Sequence, residues 1–198
     1  MKTTFPKNSV PTRRNRAFTL TELMTVMAIF SLVIAGTISA QIFGLRMYRL
    51  SDSKLTVSAD ARRALNTVRS EIWAGKLLYV GQGDSAAFTL IDNSAPHAGN
   101  ALKICATTDT NNFVCYFLDA GDACLKRRST SDGVVQILAR NVTNALVFQA
   151  EDFQGNVVTN NQNNRVIKMA LQIYKPAFGS ATAEYYQQQT RVARRAIE

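Results

Sequence analysis

The sequence predicts an α+β fold in which a long N-terminal helix packs the second half of its length against an antiparallel β-sheet head. Three observations carry this prediction. Residues 23–45 contain no charged side chain, residues 57–72 carry an apolar stripe with helical spacing, and the chain after Gly75 breaks into short β-forming runs separated by Gly, Asn, Asp and Pro. A chain of 198 residues has room for one globular domain with appendages.

Residues 1–17 are predicted to be a leader peptide outside the fold. The segment is polar and basic, contains Pro6 and Pro11, and has no acidic residue. Its basic side chains supply +5 of the formal net charge of +9, which leaves +4 for the rest of the chain. The basic composition therefore does not by itself indicate a nucleic-acid-binding protein.

Residues 18–45 are predicted to form the transmembrane and assembly half of the helix. The 23 uncharged residues from Leu23 to Leu45 are enough to cross a hydrocarbon layer of roughly 30 Å. Small residues recur along this segment and would allow close approach of other helices. They are Ala28, Gly36, Ala40 and Gly44.

Residues 46–75 are predicted to form the outer half of the same helix. Its apolar stripe has offsets of 0, 4, 7, 8, 11 and 15, and consists of Val57, Ala61, Ala64, Leu65, Val68 and Ile72. The helix is expected to run from Phe18 to Trp73, with Gly75 as its stop signal. At 1.5 Å per residue it would be roughly 85 Å long, so about half of it must stand outside the membrane.

Residues 76–198 are predicted to form a β-rich head. In Arg165–Lys175, alternate residues are apolar, which is typical of a strand with one buried face. The runs 112–119 and 123–128 predict a hairpin, and residues 152–164 predict a mobile loop. The eight expected strands are 86–92, 101–107, 112–119, 123–128, 134–140, 145–151, 165–175 and 184–195.

An acidic residue, Glu22, lies at the start of the apolar run, and a simple membrane anchor does not require an acid at this position. A carboxylate at the centre of a bilayer costs roughly 2.5–3.5 kcal/mol, and less near the interface. The acid ends the sequence Ala17-Phe18-Thr19-Leu20-Thr21-Glu22, which follows the basic leader directly. This order resembles the N-terminal signature of type IV pilins and of the pseudopilins of type II secretion.

The resemblance implies that prepilin peptidase cuts between Ala17 and Phe18, and that the new N-terminus at Phe18 is N-methylated. Glu22 would then be the fifth residue of the mature chain and neutralise the terminal amine of a neighbouring subunit. The implied partners are prepilin peptidase, other pilin or pseudopilin subunits, the inner membrane and an assembly platform. The implied location is a single-pass inner-membrane protein with its head in the periplasm or outside, and later a filament.

The sequence departs from the usual signature in three ways, and the last of them favours a pseudopilin or minor pilin. Ala17 replaces Gly, Thr21 replaces an aliphatic residue, and no Pro interrupts the apolar helix. The head runs YFLDAGDACLKRR, ILARNVTNALVFQAEDFQGN and RVIKMALQIYK are similar in order to the heads of J-type minor pseudopilins and PilW-type minor pilins. This likeness implies a subunit near a filament tip.

The three cysteines lie in or beside the predicted hairpins of the head. In an oxidising compartment two of them are expected to pair, preferably Cys105 with Cys115 across the turn between their strands, leaving Cys124. Three buried thiols are the alternative. No C-x-x-C motif supports zinc or redox chemistry.

The sequence predicts no enzyme, no cofactor and no metal site. A Ser hydrolase would need a G-x-S-x-G context, which does not occur, and His97 is expected to be solvated in a loop. Asp152, Asn156 and residues 160–164 offer oxygen ligands, but their spacing fits no known calcium loop.

Three alternative functions stay open from the sequence alone. Arg127 with Arg128, and Arg191 with Arg194 and Arg195, would give a competence-pilus subunit a surface for DNA. Few aromatic residues lie among them, so nucleic acid is not the favoured partner. A plain membrane-anchored periplasmic domain would keep its leader. A secreted binding protein would be cut after Ala40.

Overall fold

The computed structural model describes residues 18–161, 164–176 and 183–195. The chain divides into two compact units between Tyr48 and Arg49. A single helix, α1 (Leu20–Ala74), contains the apolar run and the predicted stripe. The expected helix is thus confirmed to within two residues at each end. The predicted leader, with Ala17, lies outside the described residues.

The stripe on the outer half of α1 faces the core of the head. Ala61, Ala64, Leu65, Val68 and Ile72 are all buried. Val57, the first member of the stripe, is partly buried against the same core. The helix stops where Gly75 donates its backbone N–H to the Ile72 carbonyl, as expected. A Cβ at Gly75 would lie 2.6 Å from Ile104, so the stop also requires the small residue.

Among the described residues, ten strands follow the helix and form two antiparallel sheets. The first sheet has six strands in the order β2-β1-β4-β5-β6-β7, and the second has four in the order β10-β9-β8-β3. The strands are β1 (Leu77–Gly83), β2 (Phe88–Leu90), β3 (Ala98–Gly99), β4 (Ala101–Cys105), β5 (Val114–Asp119), β6 (Cys124–Ser129), β7 (Val135–Ala139), β8 (Phe148–Glu151), β9 (Val166–Pro176) and β10 (Ala183–Ala193).

All eight predicted strands coincide with observed ones, and two observed strands were missed. The predicted hairpin is confirmed, because β5 pairs with β6 from Val114–Ser129 to Asp119–Cys124. The missed strands are β1 and β3. Both contain glycines, which are common in loops. Gly99 lies so close to β1 that a Cβ there would be 1.9 Å from the Gly81 carbonyl oxygen. These glycines allow two strands to approach each other.

One core joins both sheets and the helix, whereas the sequence analysis expected a single sheet. On β9 the predicted inward residues Ile167, Met169, Leu171 and Ile173 are all buried. Val80, Leu102 and Tyr116 join them from the six-stranded sheet. On the opposite face of that sheet, Ala101, Cys115 and Phe117 form a second, smaller cluster with Phe88 and Phe113.

The described part of residues 152–164 is a structured turn, so the expectation of a mobile loop was wrong. The Asp152 carboxylate accepts hydrogen bonds from the backbone N–H groups of Gln154 (2.9 Å) and Asn156 (2.8 Å). Val157 bridges back to Glu151, and Val158 packs on the core. The turn is therefore ordered by its own acid and by burial of the next apolar residue.

Candidate functional site

The N-terminal end of α1 is closed by a reciprocal pair of hydrogen bonds between Thr19 and Glu22. The Glu22 backbone N–H donates to the Thr19 hydroxyl oxygen at 3.3 Å, and the Thr19 backbone N–H donates to Glu22 Oε2 at 3.0 Å. The Thr19 hydroxyl also donates to Oε2, at 3.0 Å. This arrangement is a capping box, and it leaves the carboxylate fully exposed at the helix entrance.

The sequence predicted a role for Glu22, but the part played by Thr19 was missed. The signal was present, because Thr19-Leu20-Thr21-Glu22 has the spacing of a capping box before an apolar run. The negative carboxylate also lies near the N-terminal end of the helix, where the helix dipole favours an anion. Glu22 therefore has a stabilising role within its own chain.

The apolar half of α1 presents its side chains outward over its whole circumference. From Leu20 to Leu45 every residue is exposed, and Phe18, just before the helix, is 82% exposed. Within the described residues, α1 is the one helix long and apolar enough to cross a membrane. A helix that is apolar on all sides, and that no other described part of the chain covers, needs lipid or other helices around it.

Hydroxyl groups in the apolar half are satisfied by the helix itself. Ser31 donates to the Met27 carbonyl at 2.8 Å, and Thr37 donates to the Val33 carbonyl at 2.7 Å. Ser39 does the same with Ala35 at 2.8 Å. With these bonds made, the hydroxyls add little cost to burial in an apolar environment.

The small residues predicted to permit close helix approach lie on an open surface. An added Cβ at Gly36 or Gly44 would have no neighbour within 4 Å. Ala28 and Ala40 are exposed as well. Nothing within the described part of the chain occupies this surface, so the space beside these residues is accessible to another helix.

All three cysteines carry free, buried thiols in the structure. Cys115 lies opposite Lys103, and Cys105 follows two residues later on β4, so the predicted pair occupies diagonal positions on one face of the sheet. Burial raises the pKa of the Cys115 thiol to about 11. A thiol is a poor nucleophile until it ionises, so this environment slows oxidation. The disulfide stays a prediction.

His97 is completely buried, so the expectation that it would be solvated was wrong. Its Nδ1 lies 3.3 Å from Asn164 Oδ1, and its backbone N–H donates to the Val158 carbonyl. Val158 and Asn164, from the segment predicted to be a mobile loop, instead contact the histidine. His97 therefore belongs to the packing of β3 against that turn.

The described residues contain no group of three or more His, Cys, Asp or Glu side chains able to hold a metal ion. The Asp152 carboxylate, one of the oxygen ligands considered for calcium, is held by backbone N–H donors of its own turn. The same N–H donors, with Asn156 first, lower the pKa of this carboxyl.

Most arginines considered for a DNA surface are bonded within the head. Arg127 Nη2 lies 2.8 Å from Glu71 Oε1, and Arg191 Nε lies 2.6 Å from Glu151 Oε2. Arg128 bonds to the Ser85 and Ala86 carbonyls, and Arg194 bonds to the Lys76 carbonyl. These contacts hold most of the guanidinium groups within the fold. They are therefore not free to bind DNA phosphates.

Comparison with known proteins identifies the N-terminal segment. Residues 12–38 match the family model described as the prokaryotic N-terminal methylation motif. No curated protein and no solved structure matches the chain. The motif is the type IV pilin and pseudopilin signature, so the resemblance drawn from Ala17–Glu22 is confirmed.

The motif has consequences for processing, role and location. It implies cleavage by prepilin peptidase, assembly with other pilin subunits and a structural role. The motif and the single apolar helix together fit a single-pass inner-membrane anchor.

Proposed function

We propose that the protein is the precursor of a minor pilin or minor pseudopilin, a non-enzymatic subunit of a type IV pilus or of a type II secretion pseudopilus. The observation that carries this proposal is the methylation motif at residues 12–38, whose apolar part is an exposed helix. The head in residues 49–198 has a core of its own and needs no such helix for burial. The helix is therefore free to serve assembly.

Processing creates the charge that assembly uses. Cleavage between Ala17 and Phe18 exposes an amine at Phe18, which is then N-methylated. In staggered helices this cation lies beside Glu22 of a neighbouring subunit, and the low dielectric of lipid or of a helix bundle strengthens the pair. The assembly platform then extracts the apolar helix from the inner membrane as it packs with those of other subunits, and the head stays in the periplasm or outside.

The minor-subunit assignment rests on features of the signature and of the head. The helix lacks the Pro found in many major pilins, and the order of head runs is similar to that of J-type pseudopilins and PilW-type pilins. A minor subunit near the tip would be needed in few copies and would start or terminate the filament rather than form its shaft.

Deletion of the chromosomal gene tests the proposal. The deletion strain is assayed for surface filaments, for DNA uptake and for secreted enzymes. We expect loss of at least one activity, restored by the wild-type chain but not by Glu22→Ala. A deletion strain normal in all three assays, or full rescue by Glu22→Ala, would contradict the assembly role and favour the plain anchored domain.

A further inference from the structure

Two cavities lie beside helix α1, within the compact unit that begins at Arg49. The first has a volume of about 270 Å³ and lies between the helix and residues 188–190 of β10, the outermost strand of the four-stranded sheet. Further along the helix is a second cavity of about 550 Å³, lined by Ser70, Trp73, Ala74 and Arg195. We call these two cavities the α1–β10 groove. On the helix side it is lined by Arg62, Asn66, Arg69 and Trp73, which share one face at offsets of 0, 4, 7 and 11.

The strand that borders the groove has an open edge. β10 pairs with β9 over 11 residues without a register shift, and among the described residues no strand lies on its other side. Three consecutive residues, Gln188, Gln189 and Thr190, line the first cavity. Because neighbouring side chains of a strand point to opposite faces, a cavity touching all three opens along the strand edge. Backbone N–H and C=O groups on that edge are available to a further strand.

The groove is basic and has no internal counter-charge. Arg62, Arg69 and Arg195 have no carboxylate partner within the described part of the chain, and no Asp or Glu lines either cavity. They differ in this from Arg127 and Arg191, which are held by Glu71 and Glu151. Unpaired guanidinium groups along an open edge attract an anionic partner.

The groove also holds the only tryptophan of the chain. Trp73 is 49% exposed, and the Arg69 guanidinium stacks over its ring at 5.1 Å from the centroid. Exposed Trp with a stacked Arg is a common composition of binding hot spots. The indole therefore offers both a contact surface and a fluorescent reporter at the site.

We propose that the α1–β10 groove binds an extended acidic polypeptide segment of another protein, which adds to β10 as a further strand and places its carboxylates on Arg62, Arg69 and Arg195. A peptide fits better than a nucleic acid because a peptide backbone both donates and accepts hydrogen bonds. Phosphates only accept them, so a nucleic acid backbone could bond to the β10 N–H groups but not to the β10 carbonyls. The proposal depends on the head alone, so it can fail while processing of the leader is correct.

Fluorescence titration of the full chain in detergent tests the groove. The probes are a 12-residue peptide of alternating Glu and Thr, the same peptide with N-methylated backbone amides, the Lys-Thr counterpart and a 12-nucleotide oligothymidylate. We expect a saturable change in Trp73 emission with the Glu-Thr peptide, and at least tenfold weaker binding of the other three. No saturable change with the Glu-Thr peptide would overturn the proposal, since the arginines would then only protect the edge from pairing.

The other probes decide the mode of binding. If the N-methylated peptide binds as tightly as the parent, the groove attracts acidic chains without strand addition, and the proposal is wrong. If oligothymidylate binds as tightly as the Glu-Thr peptide, the groove is a general polyanion or nucleic-acid site, and the proposal is also wrong.

Substitutions test whether the Glu-Thr peptide binds in the groove. Arg62→Ala with Arg69→Ala should weaken the Glu-Thr peptide at least tenfold, whereas Arg63→Ala is matched in sequence and lies outside the groove, so it should have no effect. Arg195→Ala, which leaves α1 untouched, should also weaken binding and serves if the double variant does not fold. Equal weakening by Arg63→Ala would mean that net charge alone, and not this groove, attracts the peptide.

Discussion

At the N-terminal end of α1, the Glu22 carboxylate already accepts hydrogen bonds from the Thr19 backbone N–H and hydroxyl. The proposed assembly role gives the same carboxylate a second partner, the amine of another subunit. The two roles have different chemical requirements. A capping box works with either Glu or Gln, whereas an ion pair requires the charge.

Glu22→Gln therefore separates the two roles. We expect the variant to keep α1 intact and to insert into the membrane like the wild type, but to be at least tenfold depleted from filaments, since about 1.4 kcal/mol of lost pairing is a factor of ten. The measurement is the share of the chain recovered with sheared filaments, with circular dichroism as the folding control. If Glu22→Gln assembles normally while Glu22→Ala does not, capping rather than charge is what assembly needs.

The Asp152 turn gives the head a defined response to acid. Backbone N–H donors lower the pKa of this carboxyl in the folded state, so its contribution to stability is present above the ordinary Asp pKa of about 3.9 and is lost as the pH falls through the lower folded value. Asp152→Asn should lower the midpoint of thermal unfolding near neutral pH, and the difference from wild type should shrink below a pH of about 4.

Thermal unfolding followed by circular dichroism at several pH values checks this expectation. Asp60→Asn, on an exposed position of α1, is the control and should match the wild type throughout. A difference between Asp152→Asn and wild type that stays constant down to the lowest pH would exclude the carboxylate charge as the cause.

Among the elements, β3 depends most directly on a missing side chain. A Cβ at Gly99 would lie 1.9 Å from the Gly81 carbonyl oxygen, and that atom belongs to the backbone of β1 and cannot rotate away. Gly99→Ala must therefore separate β1 from β3. We expect a loss of about 1–3 kcal/mol or more in the free energy of unfolding, as for overpacked cores, measured by urea denaturation.

Gly121→Ala is the matched control for Gly99. Its nearest neighbour would be a side-chain oxygen of Asp119 at 3.3 Å, and the substitution should be tolerated much better. Equal losses in the two variants would contradict the contact between β1 and β3 as the cause of the loss at Gly99.

The outer half of α1 is fastened to β6 by an ion pair as well as by the apolar stripe. Both the Arg127 Nε and Nη2 atoms contact Glu71 Oε1, at 2.9 Å and 2.8 Å, and both side chains are mostly buried. Tyr116 lies beside them, and burial raises the pKa of its phenol.

Arg127→Met should therefore cost roughly 2–3 kcal/mol of unfolding free energy, because it leaves a largely buried carboxylate without its donor. Urea denaturation measures the loss, and Arg63→Met on the exposed face of α1 provides the control. Removing both charges, with Glu71→Gln and Arg127→Met together, should recover part of the loss. A double variant whose loss of unfolding free energy equals the sum of the two single losses would show that Glu71 and Arg127 are not coupled.

The elements also show which parts of the fold the sequence could reveal. Strand β9 was predictable because large apolar residues recur at every second position, at Ile167, Met169, Leu171 and Ile173. Helix α1 was predictable because its stripe keeps a helical period. β1 and β3 were missed because they contain Gly81 and Gly99, and glycine is common in loops. The close approach of the two backbones that requires these glycines appears only once the strands are paired. The burial of His97 was missed for a similar reason, since its cover comes from residues about 60 positions later.

For the whole molecule, the sequence was most informative where function depends on local order. The motif at residues 12–38 contains both the predicted cleavage position and Glu22, so it could be recognised from local residue order alone. The α1–β10 groove was invisible at that level, because it brings Arg69 and Trp73 of the helix together with a strand edge more than 100 residues away. Tertiary pairing, and not local pattern, creates that surface.

The mass of the native N-terminal peptide shows whether the chain is processed as a prepilin. The protein is purified from the membrane of its own host and digested, and a strain without prepilin peptidase provides the unprocessed control. We predict that the mature chain begins at N-methylated Phe18 and that the control strain keeps the leader. A native chain that still begins at Met1, or one that begins at Gln41, would contradict the account, because the amine that Glu22 is proposed to neutralise would never form.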